Sequence, residues 1–95
     1  MTIDCNSVSS VDDFWNLYIS EDVVEGKSLF GRNLDALWDA LTGGGPGYPR
    51  DTDCIKLVGS RRLSLIDGGT FYNRIVSFSK DLEACSYCEV TIILD

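Results

Sequence analysis

Two aspartates, Asp35 and Asp39, stand four residues apart in the run Leu34-Asp35-Ala36-Leu37-Trp38-Asp39-Ala40-Leu41-Thr42. Residues four apart on a helix share a face, so such a pair sets two negative charges side by side. With Leu34 as origin and ~100° per residue, Leu37, Trp38 and Leu41 gather into an apolar stripe. Asp35, Asp39 and Thr42 fall on a second, polar stripe that Trp38 borders. No basic residue lies three or four positions from Asp39. An acid so placed is either an ordinary solvated carboxylate or a preorganised acceptor for an Arg or Lys of a partner. The flanking Gly31, Gly43 and Gly44 would let a partner's surface approach closely.

Other groups with reactive chemistry point less far. Cys85-Ser86-Tyr87-Cys88 is a C-x-x-C, but one such pair plus isolated Cys5 and Cys54 does not make a zinc ribbon. A redox C-x-x-C opens a helix, where the dipole lowers a thiol pKa; this one closes a helix and enters a strand. All four thiols are therefore expected free and reduced. A Cys85–Cys88 bridge would be strained at a helix end, and Cys5 lies at the opposite end of the sheet from Cys54 and Cys88. Arg61-Arg62 reads as a solvated pair. The stretch Gly43 to Gly47 has no Lys-Ser/Thr after it and is no phosphate cradle. The chain contains no histidine, which removes imidazole catalysis and imidazole-held zinc. No metal and no cofactor are expected.

The elements that must position these residues are legible. Met1 to Cys5, Cys54 to Val58 and Val90 to Leu94 read as strands, the last a continuous apolar run that suits a strand covered on both faces. Val11 to Ile19 reads as a helix capped from Ser9, Ser10 or Asp12, with Phe14, Trp15 and Tyr18 in the core. Leu34 to Thr42 is the clearest helix, capped by Asn33 and ended by Gly43. A short helix over Ser60 to Ile66 and a longer one over Thr70 to Ala84 complete the order. Strands separated by helices imply crossovers, hence an α/β fold with a parallel sheet and right-handed connections.

The 95 residues make one domain, 44% hydrophobic and 24% charged, with a net charge of −7. Both ends of the chain are acidic and the middle is mildly basic. Nucleic-acid binding through phosphate neutralisation needs a basic footprint, so direct nucleic-acid contact is disfavoured. No apolar run approaches the ~20 residues that span a bilayer, and Met1-Thr2-Ile3-Asp4 lacks the start of a signal peptide. A cytoplasmic protein, monomeric when free, with positively charged partners is the expectation.

The run Phe30-Gly31-Arg32-Asn33-Leu34-Asp35-Ala36-Leu37-Trp38-Asp39-Ala40-Leu41-Thr42-Gly43, followed by Tyr48-Pro49, resembles the signature of the barstar family of ribonuclease inhibitors. Cys88-Glu89-Val90-Thr91-Ile92-Ile93-Leu94 is similar to that family's last strand. Arg50 to Lys80 resembles it only in pattern. The resemblance implies a barstar-like fold of three parallel strands packed with about four helices. It also implies a cytoplasmic inhibitor that binds a small secreted guanyl-preferring ribonuclease one to one and plugs its active site with the second helix and the loop before it. The matching positions are Gly31, Asn33, Asp35, Trp38, Asp39, Thr42 and Gly43. Among them, Asp39 resembles the family's mimic of the RNA phosphate.

Three departures bear on the contact surface. The family commonly has an aromatic where Leu29 stands and often another where Gly44 stands. The stretch from Phe78 to Cys88 carries an insertion, so the family's acids on the last helix are carried over to Asp81 and Glu83 as the nearest candidates. The competing expectation is an acidic interaction module that binds a different basic protein through the same helix.

Overall fold

The computed structural model describes all 95 residues. Three strands, β1 (Thr2–Asp4), β2 (Cys54–Val58) and β3 (Thr91–Leu94), form one parallel sheet in the order β1-β2-β3. The helices α1 (Val11–Ser20) and α2 (Leu34–Gly43) lie between β1 and β2; α3 (Thr70–Ala84) lies between β2 and β3. The fourth helix, Ser60–Leu65, is a 3-10 helix rather than an α-helix, and shorter 3-10 turns occupy Lys27–Leu29 and Asp67–Gly69. Gly59, in the left-handed region at φ 67°, turns the chain out of β2, and Asp67, Gly68 and Gly69 all have positive φ. Between those two turns there is room for only about two tight turns of helix. The fold is the α/β, barstar-like arrangement read from the sequence.

Local chemistry accounts for the helix ends. Among the three candidate caps of α1, Ser10 does the work: its side chain accepts a 3.1 Å bond from the Asp13 amide, while the Asp13 carboxylate accepts from the Ser9 amide at 2.9 Å. This reciprocal arrangement satisfies donors that a helix start leaves free. α2 runs one residue further than its sequence suggests. Gly43 is its last residue, and Gly44, at φ 74°, is the left-handed cap whose amide donates to the Ala40 carbonyl at 2.9 Å.

One face of the sheet is buried and the other is open. Ile3, Ile55, Leu57 and Ile92 face the helices, whereas Thr2, Lys56 and Ile93, which pair across the strands, are exposed. Double coverage of Val90 to Leu94 is therefore not realised: in β3, Ile92 is buried and Ile93 exposed. A three-stranded sheet with all its helices on one side has nothing to cover the second. Phe14, Trp15 and Tyr18 of α1 sit in the core as expected; Phe14 and Trp15 pack edge-on to Phe71 at 5.2 and 6.0 Å, Trp15 edge-on to Phe30 at 5.6 Å, and Tyr18 is tilted against Phe30 at 5.6 Å. Such edge-to-face pairs add to the gain from burial alone. Burial raises the Tyr18 phenol above its ordinary pKa, and its hydroxyl donates to the Gly47 carbonyl at 2.6 Å.

The expectation of four reduced thiols holds for two. Cys5 and Cys54 are free, but Cys85 and Cys88 are joined in a disulfide. Cys85 has already left the helix, at φ −80° and ψ 111°, so the bridge spans a turn and not a helix end. The Cys88 amide folds back to the Cys85 carbonyl at 3.4 Å, which brings the two Cα atoms to 5.5 Å, inside the range a disulfide requires.

Candidate functional site

α2 is clamped at both ends by the rest of the molecule. Ahead of it, Phe30 is buried against Trp15 and Tyr18, which fixes the entry of the loop Gly31-Arg32-Asn33. Arg32 adopts a left-handed backbone at φ 54°, and its guanidinium donates to the Asn16 side-chain oxygen on α1. Asn33 caps α2 by accepting from the Ala36 amide at 2.7 Å, and its side-chain nitrogen donates to the Gly31 carbonyl at 3.1 Å. After the helix, the glycine-rich loop is tied down at Gly47, which is buried at φ 95°. A Cβ there would run into the Phe30 ring. The Gly47 amide donates to the Glu25 carbonyl at 2.6 Å, and its carbonyl receives the Tyr18 hydroxyl. Glycine at this position is a packing requirement, and the loop it anchors holds the C-terminal end of α2 in place.

So held, α2 buries Leu34, Leu37, Ala40 and Leu41 and exposes Asp35 and Asp39. Trp38 lies half-buried on the border, edge-on to Phe78 at 5.7 Å. The Thr42 hydroxyl donates to the Trp38 carbonyl at 2.7 Å, so outward it can only accept. Gly43 and Gly44 are exposed, and a Cβ on either would meet nothing within 4 Å. Leu29 is 78% exposed at the end of its 3-10 turn, beside the entry to α2.

Between α2 and α3 runs a groove of about 460 Å³, with Asp35 and Trp38 on one wall and Arg74, Ser77, Phe78 and Asp81 on the other. Asp81 is thereby brought to the same surface as Asp35. Glu83 does not line the groove: two residues further along α3 means ~200° around the helix axis. No ion pair or side-chain hydrogen bond within the protein engages Asp35, Asp39 or Asp81. The molecule's one ion pair, Lys56–Asp95 at 3.4 Å, lies on the open face of the sheet. The site therefore offers carboxylates whose lone pairs face solvent, arranged around a half-exposed indole. It is suited to accept charge-assisted hydrogen bonds from guanidinium or ammonium groups.

Sequence reasoning did not single out Tyr87 or Glu89. Tyr87 adjoins the site from the disulfide turn: it lines one depression with Trp38 and Asp81, and another with Thr42, Gly44 and Glu89. Both residues sit in or next to the C-x-x-C, where the cysteines draw the attention and spacing alone does not show that the turn folds back beside α2.

No curated protein matches the chain. The family model described as barstar (barnase inhibitor) matches residues 1–61, a span that holds β1, α1, α2 and β2 and with them the clamped helix and its unpaired aspartates. That match covers well over half of the chain, so the chain belongs to the barstar family.

Proposed function

We propose that this protein is an intracellular ribonuclease inhibitor, acting in the cytoplasm, which binds a small secreted guanyl-preferring ribonuclease one to one and blocks its active site. α2 and the loop before it form the plug. Leu29, Gly31, Asn33, Asp35, Trp38, Asp39, Thr42, Gly43 and Gly44 make the contact surface, with Asp81 joining it across the groove. Asp39 enters the place of the RNA phosphate. The observation that carries this reading is the pair of aspartates on α2 with no partner inside the protein, held on a helix that is anchored at both ends.

A ribonuclease must stabilise a phosphate on which negative charge accumulates, so its active site concentrates Arg and Lys. A rigidly held carboxylate competes for those groups directly. Because Asp35 and Asp39 are already placed and have no internal bonds to break, little ordering is needed on binding. The net charge of −7 steers a basic enzyme toward this face and accelerates encounter.

The test is to add the purified protein in steps to small secreted guanyl-preferring ribonucleases and follow RNA cleavage. Activity lost in proportion to the inhibitor added, reaching zero at one equivalent, supports the reading. Folded protein that leaves every such enzyme untouched assigns the acidic face to a different basic partner.

A further inference from the structure

Tyr87 is the one aromatic side chain of the molecule that is exposed, at 70%. It is carried on a turn closed twice over, by the Cys85–Cys88 disulfide and by the Cys88 amide bonding to the Cys85 carbonyl. The ring is thus presented on a short rigid element. It borders two depressions. Toward α3 it shares one with Trp38 and Asp81; toward the end of α2 it shares the other, of about 220 Å³, with Thr42, Gly44 and Glu89. Gly44 leaves the rim of that second depression open. Glu89 is exposed, and no hydrogen bond or ion pair within the protein engages its carboxylate. An aromatic face, a free carboxylate and the outward-accepting Thr42 hydroxyl oxygen therefore surround one hollow, next to the acidic stripe of α2.

Resting on the inhibitor reading above, we propose that Tyr87 and Glu89, with Thr42 and Gly44, form a second receptor for a cationic side chain of the ribonuclease. It is separate from the acceptor made by Asp35 and Asp39, and its occupant is an arginine. A guanidinium is planar: it stacks on a phenol ring while its edge donates to a carboxylate, whereas an ammonium is a point charge with no face to stack. Continuity with the α2 face places this hollow at the rim of the same contact. The chain's surplus of acids calls for a basic group to fill it.

The experiment compares inhibition constants for the wild type, Tyr87→Ala, Tyr87→Phe, Glu89→Gln and the double variant Tyr87→Ala/Glu89→Gln. The probe is a small secreted guanyl-preferring ribonuclease, and a urea unfolding curve controls the fold of each protein. Both positions are exposed, so unfolding midpoints stay at the wild-type value. Tyr87→Ala weakens inhibition roughly three- to thirty-fold, the range of a stacked cation. Tyr87→Phe, which keeps the ring, stays within about twofold of the wild type. The double variant loses less than the product of the single losses, because both groups hold one side chain. Repeating the Tyr87→Ala comparison against Arg→Lys variants of the ribonuclease identifies the arginine as the one whose replacement cancels the effect. Wild-type inhibition that Tyr87→Ala leaves unchanged, or that Tyr87→Phe weakens as much as alanine does, or that couples to no arginine, overturns the receptor and leaves the inhibitor reading standing. A folded wild type that inhibits no ribonuclease overturns both.

Discussion

Replacing Asp39 separates function from folding. Asp39 is the sixth of the ten residues of α2, one turn from Asp35, and neither acid has an internal partner. Its charge sits too far along the helix for the N-terminal dipole to favour it. A like-charge pair at this spacing costs ~0.2–0.5 kcal/mol. Asp39→Asn, which keeps size and helix propensity, should therefore stabilise the free protein by that amount, a rise in melting temperature of about 1–4 °C for a domain of this size. Asp39→Ala adds a propensity gain of up to ~0.6 kcal/mol and should be the more stable of the two. On the proposed inhibitor reading, the sign reverses against the ribonuclease. Removing one partner of a desolvated charge pair leaves the enzyme's cations buried and unpaired, at about 2–5 kcal/mol, which is a thirty-fold to several-thousand-fold weaker inhibition constant. Asp39 should rank first in an alanine scan, with Asp35 and Trp38 next. Urea unfolding and titrated RNA cleavage on the same protein stocks measure both effects. Asp39→Asn less stable than wild type by ~0.5 kcal/mol or more would mean that the carboxylate has a structural partner. A scan in which Asp39 ranks below Leu29 or Thr42 would refute the phosphate-mimic role.

Association should slow as salt rises from 0.01 M to 1 M, because the Debye length contracts from ~30 Å to ~3 Å, while dissociation changes little; stopped-flow rates indifferent to salt would remove α2 as the docking face. Burial, and secondarily the charge of Asp4, push the Cys5 thiol from 9.0 up to about 11, so the folded state holds a proton that the unfolded state releases. The stabilisation this gives is complete below pH 9 and is lost as pH rises to about 11, by up to ~3 kcal/mol, with Tyr18 adding in the same sense above pH 10. Urea unfolding across pH 8–11 should show this decline, and Cys5→Ala should flatten its first part; an unchanged slope would mean that the thiol stays solvated. The Cys85–Cys88 bridge closes a ring of only four residues, for which the chain-entropy model gives ~2 kcal/mol. The double replacement Cys85→Ser/Cys88→Ser should lose no more stability than that and should keep the proposed inhibition, so a folded double variant with no inhibition, where the wild type inhibits, would make the turn indispensable.

The elements and the central helix of the site can be read from the residues in order along the chain. Val11 to Ile19, Leu34 to Thr42 and Thr70 to Ala84 are legible as helices from local signals: caps and an apolar stripe for the first, cap, stripe and stop for the second, and a stripe after the Asp67-Gly68-Gly69 turn for the third. Asp35, Asp39, Trp38 and Thr42 share a surface because the helix period puts them there, whatever surrounds the helix. Tertiary structure decided the rest, since it depends on which elements meet. The one-sided covering of the sheet left Ile93 exposed in a run whose composition suits burial on both faces. Asp81 and Glu83 are equivalent as acids near the end of α3, and only the packing of α3 against α2 puts the first in the groove and the second outside it. Gly47 is demanded by the Phe30 ring, seventeen residues away in sequence. The disulfide and the placing of Tyr87 beside Thr42 depend on where the chain turns after α3. No local period encodes that turn, because its position is set by the distance from the end of α3 to the edge of β2, where β3 must pair.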